Sequence, residues 1–595
     1  MQSGKCHIYQ VFTRLFGNTQ THNHSWGTLE QNGVGKFSDF TPCALEKIKA
    51  LGITHIWYTG VLHHATTTDY QRFGITNDHP AIVKGRAGSP YAIKDYYSVD
   101  PDLADNPAQR NQEFSQLIER THQAGLKVII DIVPNHVARC YQGLNNPQHV
   151  VDFGHNDDTS VAYQRDNNFY YLPDEAFQLP EFPTRYRPSG GEAHSQLNVP
   201  FKEEPAKWTG NGAARAQPSF DDWFETVKIN YGIKPDGSQD FTPLDDAFRH
   251  RSYAQHLAFW DEQSLPDSWY KFADIVCYWL AQGVDGFRFD MAEMVPVEFW
   301  SYLNSLIKTQ RADTVLIAEI YQPDRYEDYI ELGKMDYLYN KVGLYDLLRS
   351  IVQGTASTSQ IGALEWQQRK MAAHFVNFLE NHDEQRIASP AFAGDAKRAC
   401  PAMLVACTLS PAAMLIYFGQ EVGEPANENA GFGQPSRTSI FDYVGVPHHQ
   451  RWMNQGRFDG GLLNHNELEL RQFYQRLLNL TLQSPAMQGD YHDLYAANYA
   501  QFDELQHRLF AFARSAPSQI VIIAVNFDHQ HSKRINLSLP QTLVKHWPQN
   551  SDGLYLYDHL NDVRYPLHLN HDGACVSVEF TPLFCGYLEL IKEPA

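Results

Sequence analysis

Eight short β-rich segments alternate with helical segments along most of this 595-residue chain. The strand candidates are residues 7–16, 53–61, 126–136, 284–293, 314–321, 334–340, 374–383 and 412–421. Alternation of strands with helices favours a parallel sheet that is covered by helices. Eight such units are the number that closes a TIM barrel.

The spacing of polar residues at the predicted strand ends supports this barrel. Asp290 and Glu319 are separated by about 30 residues, the length of one βα unit, and Asp383 follows Glu319 after about two units. His136 precedes Asp290 by about five units, although one is expected. We therefore predict an inserted lid-like domain at residues 138–259, placed on the C-terminal rim of the barrel.

The pattern changes after about residue 484, where short strands alternate with turn residues. The strand candidates there are residues 508–515, 519–527, 533–539, 574–580 and 585–591. This pattern predicts a small antiparallel β-sandwich. The predicted fold is α/β, with a (β/α)8 barrel at residues 1–137 and 260–484, the insert at 138–259 and the sandwich at 485–595.

Composition excludes two classes of partner. The net charge is −21, and no run of Lys or Arg suggests a nucleic-acid-binding surface. No stretch of about 18 apolar residues predicts a membrane span. The first residues carry no apolar leader, and the eight Cys are scattered without a Cys-x-x-Cys pair. We therefore expect a cytoplasmic location, or a secreted or periplasmic one if a leader has been removed. Nothing in the sequence indicates a partner protein.

Polar residues stand at the C-terminal ends of four predicted strands. They lie in residues 131–136, 286–290, 318–319 and 380–383. Catalytic groups of TIM barrels occupy this position. Alternate residues of a strand share one face, so Arg288 and Asp290 point the same way. We expect the guanidinium to lower the pKa of Asp290, which would keep it ionised as a nucleophile. Glu319 would carry the proton for a leaving oxygen, and two carboxylates with divided roles are what glycosidic bond cleavage requires.

The four segments resemble, in order, the four signature regions of the alpha-amylase family. They read DIVPNH, GFRFD, AE and ENHD. Residues 89–97 (SPYAIKDYY) resemble the family's segment after the second strand, and residues 417–421 (YFGQE) resemble the motif that ends its eighth strand. The insert and the C-terminal region are similar to the family's three-domain plan. The resemblance therefore covers nearly the whole chain.

The resemblance implies roles for individual residues. Asp290 would be the nucleophile, Glu319 the general acid/base and Asp383 a third carboxylate that stabilises the transition state. The implied substrate-binding residues are Tyr91, His136, Arg288, His382 and Arg386. Among them, Tyr91 would stack beneath the sugar, Arg288 would orient Asp290 and Arg386 would brace the site. Two structural alternatives remain, a packed core role for Tyr91 and support of Arg288 by Asp131.

The resemblance also raises a metal site, although the chemistry itself requires no cofactor. In many family members an Asn at the position of Asn135 ligates a calcium ion that fixes the insert to the barrel. Calcium needs six to eight oxygen ligands, and the insert offers Asp152, Asp157 and Asp158. The alternative is that Asn135 is purely structural.

One departure from the family pattern bears on both metal and substrate. Members that act on starch often have Lys-His where this chain has Glu293-Met294. The Lys lies along the aglycone side and the His contributes to the calcium site. Their absence weakens the calcium assignment and the identification as a typical starch endo-hydrolase.

The activity that the resemblance implies is retaining cleavage of α-1,4-glucosidic bonds. The substrates would be malto-oligosaccharides or starch-like α-glucans, cleaved through a covalent glycosyl-aspartate intermediate. One alternative is a transglycosylase or cyclomaltodextrinase of the same family, which differs only in whether water or a sugar accepts the intermediate. A second is a catalytically inactive sugar-binding relative, which would be expected to lose carboxylates.

Overall fold

The computed structural model describes residues 5–544, 553–570 and 573–592. Eight parallel strands form a closed barrel, which confirms the predicted fold class. They are β1 (His7–Phe12), β2 (His55–Thr59), β3 (Lys127–Ile132), β4 (Gly286–Phe289), β5 (Val315–Ala318), β6 (Tyr337–Tyr339), β7 (Phe375–Asn377) and β8 (Ala413–Tyr417). Each strand pairs with its neighbours in sequence, and β1 pairs with β8 to close the ring.

The barrel strands are almost continuous apolar runs because both of their faces are buried. Every residue of β1, β2, β4, β5 and β8 is buried. Side chains fill the inside of the barrel, and helices cover the outside. The hydrophobic core therefore lies inside and around the ring of strands, and residues at the strand ends are the ones placed at the rim of the barrel.

Helices follow the strands as the alternation predicts. Among the described residues they are Thr13–Phe16, Leu29–Asn32, Pro42–Ala50, Arg110–Gln123, Tyr253–Asp261, Asp267–Ala281, Val297–Gln310, Tyr326–Glu331, Asp346–Val352, Ser359–Gln368, Cys400–Thr408, Pro447–Met453, His465–Gln483, Tyr495–Phe502 and Gln541–Val544. None of these described helices has the length and apolar character to cross a membrane. All eight cysteines lie in the described ranges, and each is a free thiol.

A long, mostly irregular segment separates β3 from the helix Tyr253–Asp261. It contains two short antiparallel pairs, His136–Ala138 with Thr226–Lys228 and Tyr171–Leu172 with Ala206–Lys207. The first pair joins the segment directly to the chain that leaves β3. This segment includes the predicted insert, whose limits as a domain stay a prediction.

Aromatic side chains fasten this segment to loops of the barrel. The Tyr186 ring lies 6.0 Å from Trp26 and 5.7 Å from Phe432, measured between ring centroids. Phe177 and Phe224 of the segment form a small apolar cluster with Ala206 and with Ile82, which lies between β2 and β3. The segment is thus attached by a hairpin on one side and by aromatic packing on another.

The C-terminal region is antiparallel, as predicted, and forms one curled sheet of eight strands. These are β9 (Asp490–Asp493), β10 (Leu509–Ala516), β11 (Gln519–Asn526), β12 (Lys533–Pro540), β13 (Leu554–Asp558), β14 (Val563–Asn570), β15 (Gly573–Phe580) and β16 (Cys585–Lys592). Their spatial order is β9-β10-β11-β16-β13-β14-β15-β12. The buried guanidinium of Arg514 donates to the Leu409 carbonyl at 3.1 Å and so ties the sheet to the barrel.

The helix His465–Gln483 offers a matched test of this core. Leu477 is fully buried, whereas Leu468 on the same helix is 42% exposed. We expect Leu477→Ala to cost about 3 kcal/mol, because truncation removes buried surface and leaves a cavity. Leu468→Ala should change stability by less than about 0.5 kcal/mol. Denaturant unfolding of both variants measures the difference, and equal losses would contradict the packing of this helix.

Candidate active site

The guanidinium of Arg288 joins the ends of three strands. Its Nη1 lies 2.8 Å from Asp290 Oδ1, and its Nη2 lies 2.8 Å from Glu319 Oε2. Its Nε donates to the Tyr339 hydroxyl at 3.1 Å. Arg288 is completely buried. The two predicted catalytic carboxylates are therefore held on the two terminal nitrogens of one cation.

Asp131, near the end of β3, also contacts the Arg288 guanidinium. Its Oδ1 lies 3.4 Å from Arg288 Nη1, and its Oδ2 accepts a hydrogen bond from Trp57 Nε1 at 2.9 Å. Burial raises the pKa of Asp131 to about 6. These contacts match the structural alternative, in which Asp131 supports Arg288.

Both oxygens of Glu319 have hydrogen-bond donors. Oε2 accepts from the Met291 N–H at 2.8 Å as well as from Arg288, and Oε1 accepts from the Tyr321 hydroxyl at 2.7 Å. Met291 has a φ of 45°, in the left-handed region, at the turn that leaves Asp290. Such a conformation is unfavourable for a side-chain-bearing residue and is typical of functional turns.

Tyr321 is a site residue that the sequence interpretation did not identify. Its main-chain N–H donates to Glu293 Oε2 at 2.8 Å. Glu293, at the position of the family's Lys, is therefore turned towards the loop after β5. The signal that could have indicated Tyr321 is its position two residues after Glu319.

His382, Asp383 and Tyr91 come together on the other side of Arg288. His382 Nε2 lies 3.2 Å from Asp383 Oδ2 and also contacts the Tyr91 hydroxyl. The Tyr91 and His382 rings stack with their centroids 5.3 Å apart. Gln10 Nε2 lies 2.8 Å from His382 Nδ1 and fixes the ring from the barrel interior. Tyr91 is thus both packed and part of the site.

His136 completes the group and, like His382, is neutral. Its side chain bonds to the main chain of Tyr91, and its Nδ1 lies 3.0 Å from Asn135 Nδ2. Burial lowers the pKa of His136 to about 3 and that of His382 well below its usual range. Both imidazoles can therefore bind sugar hydroxyls as neutral donors or acceptors.

The expected lowering of the Asp290 pKa is wrong for the free protein. Burial raises the pKa of Asp290 well above its usual range, Arg288 lowers it in part, and Glu319 raises it again. The physical reason is that burial outweighs the attraction of Arg288, whose single positive charge is also shared with Asp131 and Glu319. Burial and the Glu319 carboxylate also raise the pKa of Asp383 to about 7. The site holds more negative charge than its one cation compensates.

Arg386 lies outside the group, which corrects its assignment to substrate binding. It is completely buried, and its Nη1 donates to Glu380 Oε2 at 2.8 Å. Its Nε donates to Thr438 Oγ1 at 2.8 Å, and the guanidinium lies 4.1 Å from the Tyr417 ring centroid. Arg386 therefore braces the loops after β7 and β8, and only that part of the expectation fits its contacts.

Asn135 is also engaged by protein groups. Its Oδ1 accepts a hydrogen bond from Lys228 Nζ, and its Nδ2 donates to the Gly210 carbonyl at 2.9 Å. Burial lowers the pKa of Lys228 to about 7. The oxygen that would ligate calcium is thus bound to an amino group instead.

The insert carboxylates do not complete a calcium site at Asn135. Asp152 accepts from Asn146 Nδ2 at 2.7 Å, Asp157 from the Tyr171 hydroxyl at 2.9 Å and Asp158 from Ser160 Oγ at 2.6 Å. Each of these contacts holds a local turn of the insert. Over residues 5–544, 553–570 and 573–592, no group of three or more His, Cys, Asp or Glu side chains is placed to hold a metal ion. The residues present do not fit the implied calcium ion.

Comparison with known proteins identifies the family of this chain. The family model described as "Alpha amylase, catalytic domain" matches residues 10–185 and 248–456, and its gap falls within the irregular segment after β3. The alpha-amylase MalA of Haloarcula japonica is 22% identical over 87% of this chain, which spans 55% of that protein. Neopullulanase 2 of Thermoactinomyces vulgaris is 20% identical over 91% of this chain and 72% of its own length.

A solved structure has the same fold. The alpha-amylase of Geobacillus thermoleovorans, crystallised with acarbose, aligns with a TM-score of 0.59 at 17% identity, over 99% of this chain and 98% of its own. This likeness supports the barrel with its C-terminal sheet.

The charge excess predicts a stability gain when one carboxylate is removed. The folded pKa of Asp383, about 7, lies above its ordinary value of 3.8. The native state therefore loses stability as pH rises from about 4 through about 7, and the loss is complete above that range. We expect Asp383→Asn to raise the melting temperature at about pH 8 by about 1–2 °C, an estimate reduced for solvent screening because the side chain is 38% exposed.

The gain should be absent at about pH 4, where the carboxyl is protonated in the native state. Asp246→Asn is the control, because this side chain is 83% exposed and its ion pair is a surface contact with Arg249, which contributes little to stability. Thermal melts across pH measure both variants. A gain that is equal at both pH values would contradict the electrostatic origin.

Proposed function

The chain belongs to the alpha-amylase family of glycoside hydrolases, and on this basis we propose that it cleaves α-1,4-glucosidic bonds with retention. The proposed substrates are malto-oligosaccharides or starch-like α-glucans. The observation that carries the proposal is the binding of both Asp290 and Glu319 by Arg288. Two carboxyl groups held side by side suit a covalent mechanism.

In the proposed reaction, Asp290 attacks the anomeric carbon while Glu319 protonates the leaving glycosidic oxygen. The bond to the leaving sugar breaks, and a glycosyl-Asp290 ester forms. Glu319 then removes a proton from water, whose oxygen attacks the same carbon and releases Asp290. Burial disfavours the ionised form of Asp290 in the free protein, and the positive charge that develops on the sugar in the transition state stabilises that form.

The hydrogen bonds of Glu319 support its role as the proton donor. Its Oε2 accepts from two N–H groups, those of Arg288 and Met291. A proton on Oε2 would break at least one of these bonds, so Oε1 is the better position for it. Oε1 faces the hydroxyl of Tyr321, which can accept from the protonated acid and donate to the ionised one. Tyr321 is therefore proposed to position the proton.

A substrate sugar would be bound by the remaining residues of the group. His136 and His382 offer neutral hydrogen-bonding groups, Asp383 a partly exposed carboxylate and Tyr91 an aromatic ring. Such a mixture suits the hydroxyls and the apolar face of a glucose ring. The acarbose complex of the Geobacillus relative supports an oligosaccharide of this class.

Transglycosylation or cyclomaltodextrin cleavage is the second candidate. A cyclomaltodextrinase of Bacillus is 20% identical over 71% of this chain, and Glu293 replaces the Lys expected on the aglycone side. The inactive alternative is disfavoured, because Asp290, Glu319 and Asp383 are all retained.

We expect the protein to degrade maltoheptaose and to release products that are initially α-anomers. Time-resolved chromatography identifies product lengths, and proton NMR identifies the anomer. Asp290→Asn should lower the rate by more than about 10³-fold while the melting temperature shows a folded protein, because the amide is a poor nucleophile. Products longer than the substrate would favour transfer, and an initial β-anomer would reject the retaining mechanism.

Glu319→Gln should separate substrates by their leaving groups. We expect a loss of about 10²–10⁴-fold on maltoheptaose and a much smaller loss on α-maltosyl fluoride, which needs little protonation. Tyr321→Phe should show the same dependence with a smaller loss, since Glu319 itself remains. Rates on both substrates are the measurement. Equal losses on the two substrates would remove Glu319 from the acid role.

A further inference from the structure

Lys228 connects three parts of the chain near the site. It ends the short strand Thr226–Lys228, where it pairs opposite His136. Its Nζ donates to Asn135 Oδ1, just beyond the end of β3, and to the Met294 carbonyl at 3.3 Å, in the turn beyond β4. One side chain of the segment after β3 thus bonds to two consecutive strand ends of the barrel.

The two acceptors are neutral oxygens. Among the ion pairs of the described residues, none joins Lys228 to a carboxylate. Lys228 is therefore not half of a salt bridge. Side-chain amide oxygens and main-chain carbonyl oxygens are groups that can also ligate a hard cation such as calcium.

We propose that the amino group of Lys228 takes the place of a structural metal ion at this junction. The segment after β3 is then fastened to the barrel by an amino group that belongs to the chain itself. Met294 occupies the position where family members with the metal have a contributing His, and here its main-chain oxygen binds Lys228. Asn135 is present as in those family members, but its Oδ1 accepts a hydrogen bond from Lys228 instead of binding a metal ion. The junction therefore does not depend on calcium.

The same contact reaches the catalytic group through Asn135. Asn135 Nδ2 bonds to the Gly210 carbonyl and lies 3.0 Å from His136 Nδ1. Asn135 is completely buried, so removal of Lys228 would leave its Oδ1 without a partner. An unsatisfied buried acceptor is unfavourable, and the junction should loosen.

The first experiment uses the wild-type protein and does not depend on catalysis. Elemental analysis of the purified protein should find much less than one calcium ion per chain. The melting temperature should be unchanged in excess EDTA and in excess calcium, because no metal binds selectively to the folded state at this junction. Stoichiometric calcium, or a melting temperature that falls in EDTA and recovers with calcium, would overturn the proposal.

The second experiment replaces the amino group. Lys228→Met should lower the melting temperature by about 3–6 °C, whereas Lys234→Met should leave it unchanged. Lys234 is the matched control because it lies on the same segment but is 41% exposed. Its ion pair with Asp240 is long, at 3.9 Å, and lies at the surface. Hydrogen exchange should become faster in residues 134–138 and 226–231 and stay unchanged in β6 and β7.

An unchanged melting temperature for Lys228→Met would overturn the proposal. If this variant fails to fold, Lys228→Arg provides the readout, because it keeps the positive charge and a donor. Lys228→Arg should fold and should remain insensitive to EDTA. Loss of folding in both variants together with EDTA sensitivity of the wild type would reject Lys228 as the replacement for the metal.

Discussion

The sharing of one guanidinium among three carboxylates organises the functional end of the barrel. Arg288 is inaccessible to solvent, and its guanidinium forms ion pairs with Asp131, Asp290 and Glu319. These residues come from β3, β4 and β5 or directly follow them. The contacts therefore require one particular register of the three strands, because a shift of one residue would turn these side chains to the other face of the sheet. The parallel pairing of β4 with both neighbours provides this agreement.

The barrel and the grouping of the strand-end residues could be predicted because both depend on local rules. Apolar runs, unit length and side-chain alternation are sufficient to place Arg288, Asp290 and Glu319 on one rim. The pKa of Asp290 could not be predicted, because its direction depends on how many carboxylates share the cation and how deeply they are buried. An argument from the charge of Arg288 alone leaves out burial and the neighbouring carboxylates.

Other features depend on contacts that leave no pattern in the sequence. Arg386 and Arg288 both stand close in sequence to acidic residues, yet Arg386 bonds to Glu380 and Thr438 in the loops and not to the catalytic carboxylates. Lys228 meets Asn135 across the irregular segment, where no periodicity indicates the pairing. The strand β9 has the sequence DYHD, which has no apolar alternation, and it forms only because β10 offers an edge.

Closure of the ring has a consequence for synthesis of the chain. His7 and Tyr9 in β1 pair with Met414 and Ile416 in β8. The first strand of the barrel to be synthesised therefore completes its pairing only when the last strand of the barrel has been made. Until β8 has emerged from the ribosome, β1 and β7 each present an unpaired edge. Unpaired apolar edges are sites of aggregation, so a chain that terminates before residue 413 is exposed to misassembly in a way that the complete barrel is not.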